Sequence, residues 1–109
     1  MNFITFVEHL QKYLEEEKVF VKNPARFAEV EEAFNIAQQL FSDADVTIAD
    51  DPIQMGALIL RIEGYDIVVR DIALFQRLIA KASNFEIYPI GDEKVKFALV
   101  FSGALTKMP

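Results

Sequence analysis

Apolar residues near the start of the chain recur with a helical period. Phe3, Phe6, Val7, Leu10, Tyr13 and Leu14 stand at i, i+3, i+4 and i+7 spacings, the stripe of an amphipathic helix. Glu8 and Lys12 lie four apart on its polar side in the favourable order. Glu15, Glu16 and Glu17 crowd its C-terminal end, where they oppose the macrodipole, so that end is expected to fray. Val19, Phe20 and Val21 form a short apolar connector expected to fold back on the core.

A second helix starts more sharply. Asn23 suits the N-cap, and Pro24 suits the first helical position because its missing N–H would be unpaired there anyway. Phe27, Val30, Phe34, Ala37 and Phe41 carry the apolar stripe, widened by Ala33, Ile36 and Leu40, and polar turn residues end the helix near Ser42.

The period then changes from 3.6 to 2. Residues 46–49 read as a strand ended by Asp50, Asp51 and Pro52. In 56–62, Leu58, Leu60 and Ile62 share one face. Glu63 and Gly64 are expected to form a tight turn, with 65–70 returning as the hairpin partner. Asp71 caps a third helix carrying Ile72, Leu74, Phe75, Leu78, Ile79 and Ala82. Strands follow at 85–90 and 95–101 around a turn at 91–94, and 102–109 read as a tail. Pro89 cannot donate to a ladder, which puts its strand at a sheet edge or a bulge. Val95, Phe97, Leu99 and Phe101 share one face, yet Ala98 and Val100 make the other apolar too. That strand is therefore central, or is covered by a partner.

The order ααβββαββ, with no linker and no solenoid repeat, predicts one domain over 1–109. Its class is α+β: a two-layer sandwich with a mainly antiparallel sheet and helices on one face. The open face is expected to carry Arg61, Lys96, Asp66 and Glu86.

Charge narrows the classes of partner. The net charge is −6, and it is uneven: residues 1–54 hold four basic and eleven acidic groups, residues 55–109 seven and six. With no Lys/Arg cluster, duplex binding is not expected, because phosphate contacts supply most of that affinity. There is no Cys, which removes thiolate metal sites and cysteine nucleophiles. No apolar run approaches the ~18–20 residues of a membrane span. The first residues lack the basic region of a signal peptide, so a cytoplasmic setting is expected.

No catalytic signature emerges. His9 is the one histidine and lies on the flank of the first helix with no second ligand nearby. Asp43, Asp45, Asp50 and Asp51 do not match a calcium loop, and their simplest role is turn chemistry. The neighbouring glutamates of 15–17 and 31–32 diverge by ~100° on a helix and cannot act as an acid/base pair. The serines and threonines lie in no nucleophile elbow, and the four glycines form no phosphate loop. Neither an enzyme nor a cofactor is expected.

What remains is a surface. Arg70, Arg77 and Lys81, with Arg77 and Lys81 four apart on one helix face, are the candidate binding residues. With Arg61 and Gln76 they make the second half locally basic, suited to an acidic partner or to the acidic helices of a second copy. The expected function is thus a non-catalytic protein-interaction module that binds another protein or forms a homodimer through a sheet face or strand edge. The alternative is a small-molecule sensor or regulatory domain, with an apolar pocket between the Phe-rich helices and the sheet.

Overall fold

Two helices open in the same way. Asn23 Oδ1 accepts the Arg26 N–H at 3.3 Å, and Asp71 Oδ1 accepts the Leu74 N–H at 3.0 Å, each satisfying a donor that the first helical turn leaves orphaned. In the computed structural model the backbone is described for residues 3–17, 20–51 and 53–107, and side chains for 4–12, 21–51 and 53–106. The elements are α1 (Phe3–Glu17), β1 (Phe20–Lys22), α2 (Pro24–Leu40), β2 (Asp45–Asp50), β3 (Leu58–Tyr65), α3 (Ile72–Lys81), β4 (Asn84–Ile90), β5 (Lys94–Phe101) and β6 (Leu105–Lys107). The expected packing of Phe3, Tyr13, Leu14 and Val19 and the role of Pro52 lie outside the described side chains, while the α1 backbone is helical through Glu15, Glu16 and Glu17, the stretch expected to fray.

The chain is α+β, and its succession of two helices, strands, a third helix and strands follows the expected order. Four strands form one antiparallel sheet in the order β2-β3-β5-β4, and β1 pairs with β6 in a small separate ribbon. The hairpins β2–β3 and β4–β5 join through their inner strands, so each of α2 and α3 is followed by one hairpin. The fold is thus two α-β-β units meeting at the β3–β5 ladder.

Alternation decides the layers. Val46, Ile48, Leu58, Leu60, Ile62, Phe97, Leu99, Phe101 and Phe85 point to one side, where Phe6, Leu10, Phe27, Val30, Phe34 and Leu78 of the three helices meet them. Rings add directional contacts to this layer: Phe41 stands edge-on to both Phe75 and Phe97, with centroids 5.9 and 5.8 Å apart. Of the phenylalanines assigned to the interior, Phe6, Phe27, Phe34, Phe41, Phe97 and Phe101 are buried and Phe75 and Phe85 half-buried. Residues on the other side of the sheet have no layer over them among the described elements.

Three expectations are corrected. Glu63 and Gly64 are no turn: β3 runs through them to Tyr65, paired with β5. Gly64 lacks the positive φ of a turn glycine, and a Cβ there would make ordinary van der Waals contact with Ala44 at 3.4 Å. Residues 66–70 therefore form no strand. The chain turns at Asp66, whose φ is +44°, and Ile67 and Val69 pack into the core without joining a ladder. The supposed connector and tail, finally, contain β1 and β6, held by the Asn23 N–H donating to the Ala104 carbonyl at 2.9 Å. Pro89 does lie on an edge strand, and 95–101 is central.

Candidate functional site

The basic face of α3 meets an acidic helix, and that helix is α2 of the same chain. Glu32 receives both cations: Arg77 Nη2 lies 3.3 Å from its Oε1 and Lys81 Nζ 3.1 Å from its Oε2. Arg70 lies apart from them. Its Nη2 stands 4.0 Å from Asp43 Oδ2, and both side chains are exposed. The three candidate residues thus do not converge on one site. Two of them fasten α3 to α2, and an exposed pair of this kind contributes ~0.2–1 kcal/mol.

The arginine with the most built surroundings is Arg26, which sequence reasoning missed. Its Nε donates to the Ser102 carbonyl at 3.0 Å, Nη1 to the Lys81 carbonyl at 2.7 Å, and Nη2 to Ser83 Oγ at 2.8 Å. Nη1 also lies 3.2 Å from Glu29 Oε2, and the guanidinium carbon sits 5.3 Å from the Phe101 ring centroid. One side chain therefore ties the start of α2 to the ends of α3 and β5. The available signal was a cation in a first helical turn, where the dipole disfavours it. These partners are structural: within the described residues they engage four of the five guanidinium N–H groups.

Among the described residues, no three His, Cys, Asp or Glu side chains stand close enough to hold a metal ion. His9 is exposed. Partial burial at the end of β2 raises the pKa of the Asp50 carboxyl above its ordinary value. A raised value means the folded state binds the proton more tightly than the unfolded chain does. The resulting penalty is absent below the ordinary carboxylate range and grows as pH rises through the folded pKa. Asp50→Asn is therefore expected to raise Tm slightly at pH 7 and not at pH 3, by less than ~0.5 kcal/mol, the usual range of surface changes. Equal shifts at the two pH values, read by thermal melts, contradict this.

A cleft of about 190 Å³ lies between α1, β1 and α2, lined by Val7, Leu10, Gln11, Lys22 and Phe27, with Lys22 Nζ 4.8 Å from the Phe27 ring centroid. One of about 280 Å³ lies between the end of α2 and β2, lined by Gln38, Phe41, Ser42, Ala44, Asp45 and Val46. Another lies where Asp43 and Arg70 meet, lined also by Phe41, Tyr65, Asp66 and Val68.

The open face of the sheet is the broad surface left. Register places Ala49, Ile59, Val100 and Asn84 side by side in one row and Thr47, Arg61, Ala98 and Glu86 in the next. Asp45, Glu63, Lys96 and Tyr88 follow, then Tyr65, Lys94 and Ile90. Arg61, Lys96 and Glu86 stand where the sequence put them, while Asp66 lies beyond the end of β3. Ala98 is 2% exposed, crowded from both sides by longer neighbours. Lys94 and Lys96 lie over the Tyr65 and Tyr88 rings at 5.0 and 5.2 Å. Arg61, Glu63 and Lys96 enter none of the ion pairs among the described residues, which involve Arg26, Arg70, Arg77 and Lys81.

The strand edges are less inviting. The Phe85 N–H donates to Asn84 Oδ1 at 3.0 Å and so faces away from β5. Alternation gives Ile87 and Pro89 the same orientation, and Pro89 has no N–H. The outward row of β4 thus offers the Ile87 amide alone as donor. At the opposite edge β2 is six residues long with an aspartate at each end, which also blunts strand addition. No family model, curated protein or solved structure matches the chain.

Proposed function

We propose that this chain is a non-catalytic protein-interaction domain, cytoplasmic in setting, whose working surface is the open face of its four-stranded sheet. One observation carries the reading: an apolar end of that face, Ala49, Ile59 and Val100, adjoins Arg61, Glu63 and Lys96, three charges with no ion-pair partner in the described chain. Apolar area flanked by charges of both signs suits a protein surface, since the first supplies affinity and the second fixes orientation. The blunted edges of β4 and β2 favour the face over strand addition. Strand 95–101 no longer argues for a partner by its apolar pattern alone, because β3 and β4 flank it on both sides.

Ile59→Lys tests the reading. Its side chain lies on the open face, so the fold should melt within a few degrees of the parent. Proteins that co-purify with the tagged full chain, including untagged copies of itself, are expected to fall about fivefold or more, as burying an unpaired charge in place of an apolar contact does. Undiminished recovery would overturn the assignment. If Arg77→Glu with Lys81→Glu abolishes recovery while Ile59→Lys does not, the working surface is α3 instead.

A small-molecule role would use the apolar cleft between α1 and α2. At about 190 Å³ it is smaller than the ~300–1,000 Å³ typical of ligand sites.

A further inference from the structure

We infer that the open sheet face is self-complementary and that its partner is a second copy of this chain, packed face to face about a two-fold axis running along the strands between β3 and β5. The inference rests on the interaction reading above and names its partner. A two-fold axis so placed preserves each residue's height along the strands and exchanges β3 with β5 and β2 with β4. The intrachain register then dictates every contact between copies. Glu63 pairs with Lys96 across the β3–β5 ladder, so Glu63 of one copy faces Lys96 of the other, twice per dimer. Ile59 pairs with Val100, so apolar meets apolar. Arg61 pairs with Ala98, whose neighbour on β4 is Glu86, so Arg61 lands on the second copy's Ala98 with Glu86 beside it. Charges left unpaired within one chain thereby find opposite charges in the other.

Charge also argues against a nucleic-acid occupant. The face carries Arg61, Lys94 and Lys96 against Asp45, Glu63 and Glu86, so a phosphate backbone would meet as many carboxylates as cations. Strands of six to eight residues, spaced ~4.8 Å apart with ~3.3 Å rise, make a face of roughly 400–500 Å². Two such faces total about 900 Å², below the ~1,200–2,000 Å² of stable interfaces. The dimer is therefore expected to be weak, with a Kd on the order of 100 µM.

Sedimentation equilibrium of the full chain from ~10 µM to ~1 mM, spanning that Kd, tests this. The parent is expected to dimerise across the range. Glu63→Lys and Lys96→Glu should each weaken self-association about tenfold or more, since like charges then oppose one another twice. An equimolar mixture of the two variants should dimerise again, because every juxtaposed pair is once more of opposite sign. Rescue by mixing distinguishes this from misfolding, which a second damaged chain does not repair. A parent that stays monomeric at the highest concentration overturns the proposal, as does a mixture no better associated than either variant alone. If the parent is monomeric while Ile59→Lys still loses co-purifying proteins, the second copy is wrong and the interaction reading survives. If Ile59→Lys changes nothing, that reading itself has failed.

Discussion

Arg26→Ala is expected to lower the stability of the fold by about 3 kcal/mol, a Tm drop of roughly 12–20 °C for a domain of this size. Little of this comes from Glu29, since an i,i+3 pair open to water contributes only ~0.2–0.5 kcal/mol. It comes from the carbonyls of Ser102 and Lys81 and the hydroxyl of Ser83, which the guanidinium reaches together. Ser83 is exposed and water can replace the guanidinium there, whereas the contacts to the Ser102 and Lys81 carbonyls are part-buried. Each carbonyl left unsatisfied costs ~1–3 kcal/mol. Arg26→Lys should recover less than half, because an ammonium lacks the planar fork that serves three diverging acceptors. Glu29→Ala should stay within ~0.5 kcal/mol of the parent. Urea unfolding separates these cases: an Arg26→Ala loss no larger than that of Glu29→Ala would show that the ion pair, not the carbonyl contacts, is what Arg26 contributes.

Much of the fold was legible along the chain because its signals are local. A cap at Asn23 or Asp71 needs an amide three residues on, and the helical stripe through Phe27, Val30 and Phe34 needs no knowledge of what covers it. Pro89 announced an edge by chemistry alone. Gly64 misled for the same reason: an isolated glycine after a charged residue fits a turn as well as it fits a strand interior, and only the pairing of Gly64 with Val95 separates the two. The surface was less legible. Arg77 and Lys81 stood out as a basic pair, but their partner Glu32 lies 45 residues from Arg77 and joins them only when α2 and α3 pack. Conversely, Glu63 and Lys96 attracted no notice as a pair, since the β3–β5 register alone brings them side by side. Helix caps are written within a few residues, whereas a sheet face is assembled from four separate stretches of chain.

Glycine conformations show the same division, and Gly56 sets the other large effect. Gly56, Gly91 and Gly103 all adopt positive φ, at +84°, +63° and +76°. An alanine at Gly91 or Gly103 would have nothing within 4 Å of its Cβ, so the cost there is the backbone strain, ~1 kcal/mol. At Gly56 a Cβ would stand 2.5 Å from the Leu105 carbonyl oxygen, while the Gly56 carbonyl accepts the Leu105 N–H at 2.8 Å. Neither chain can retreat freely. Leu105 is buried in the core and begins β6, and the loop before Gly56 is held by Asp51 Oδ1 accepting the N–H groups of Ile53 and Gln54. That loop holds Ile53 and Met55 out in solvent, 94% and 73% exposed, so its shape is set by these hydrogen bonds and the close approach at Gly56, not by burial of its own side chains. Gly56→Ala must therefore either break the Leu105 hydrogen bond or push β6 away from the core, and is expected to cost about 3–4 kcal/mol once backbone strain is included. Chemical denaturation of the three alanine variants side by side measures the difference. If Gly56→Ala lies within ~1 kcal/mol of Gly103→Ala, the approach of residues 56 and 105 is soft and does not hold the β1–β6 ribbon in place.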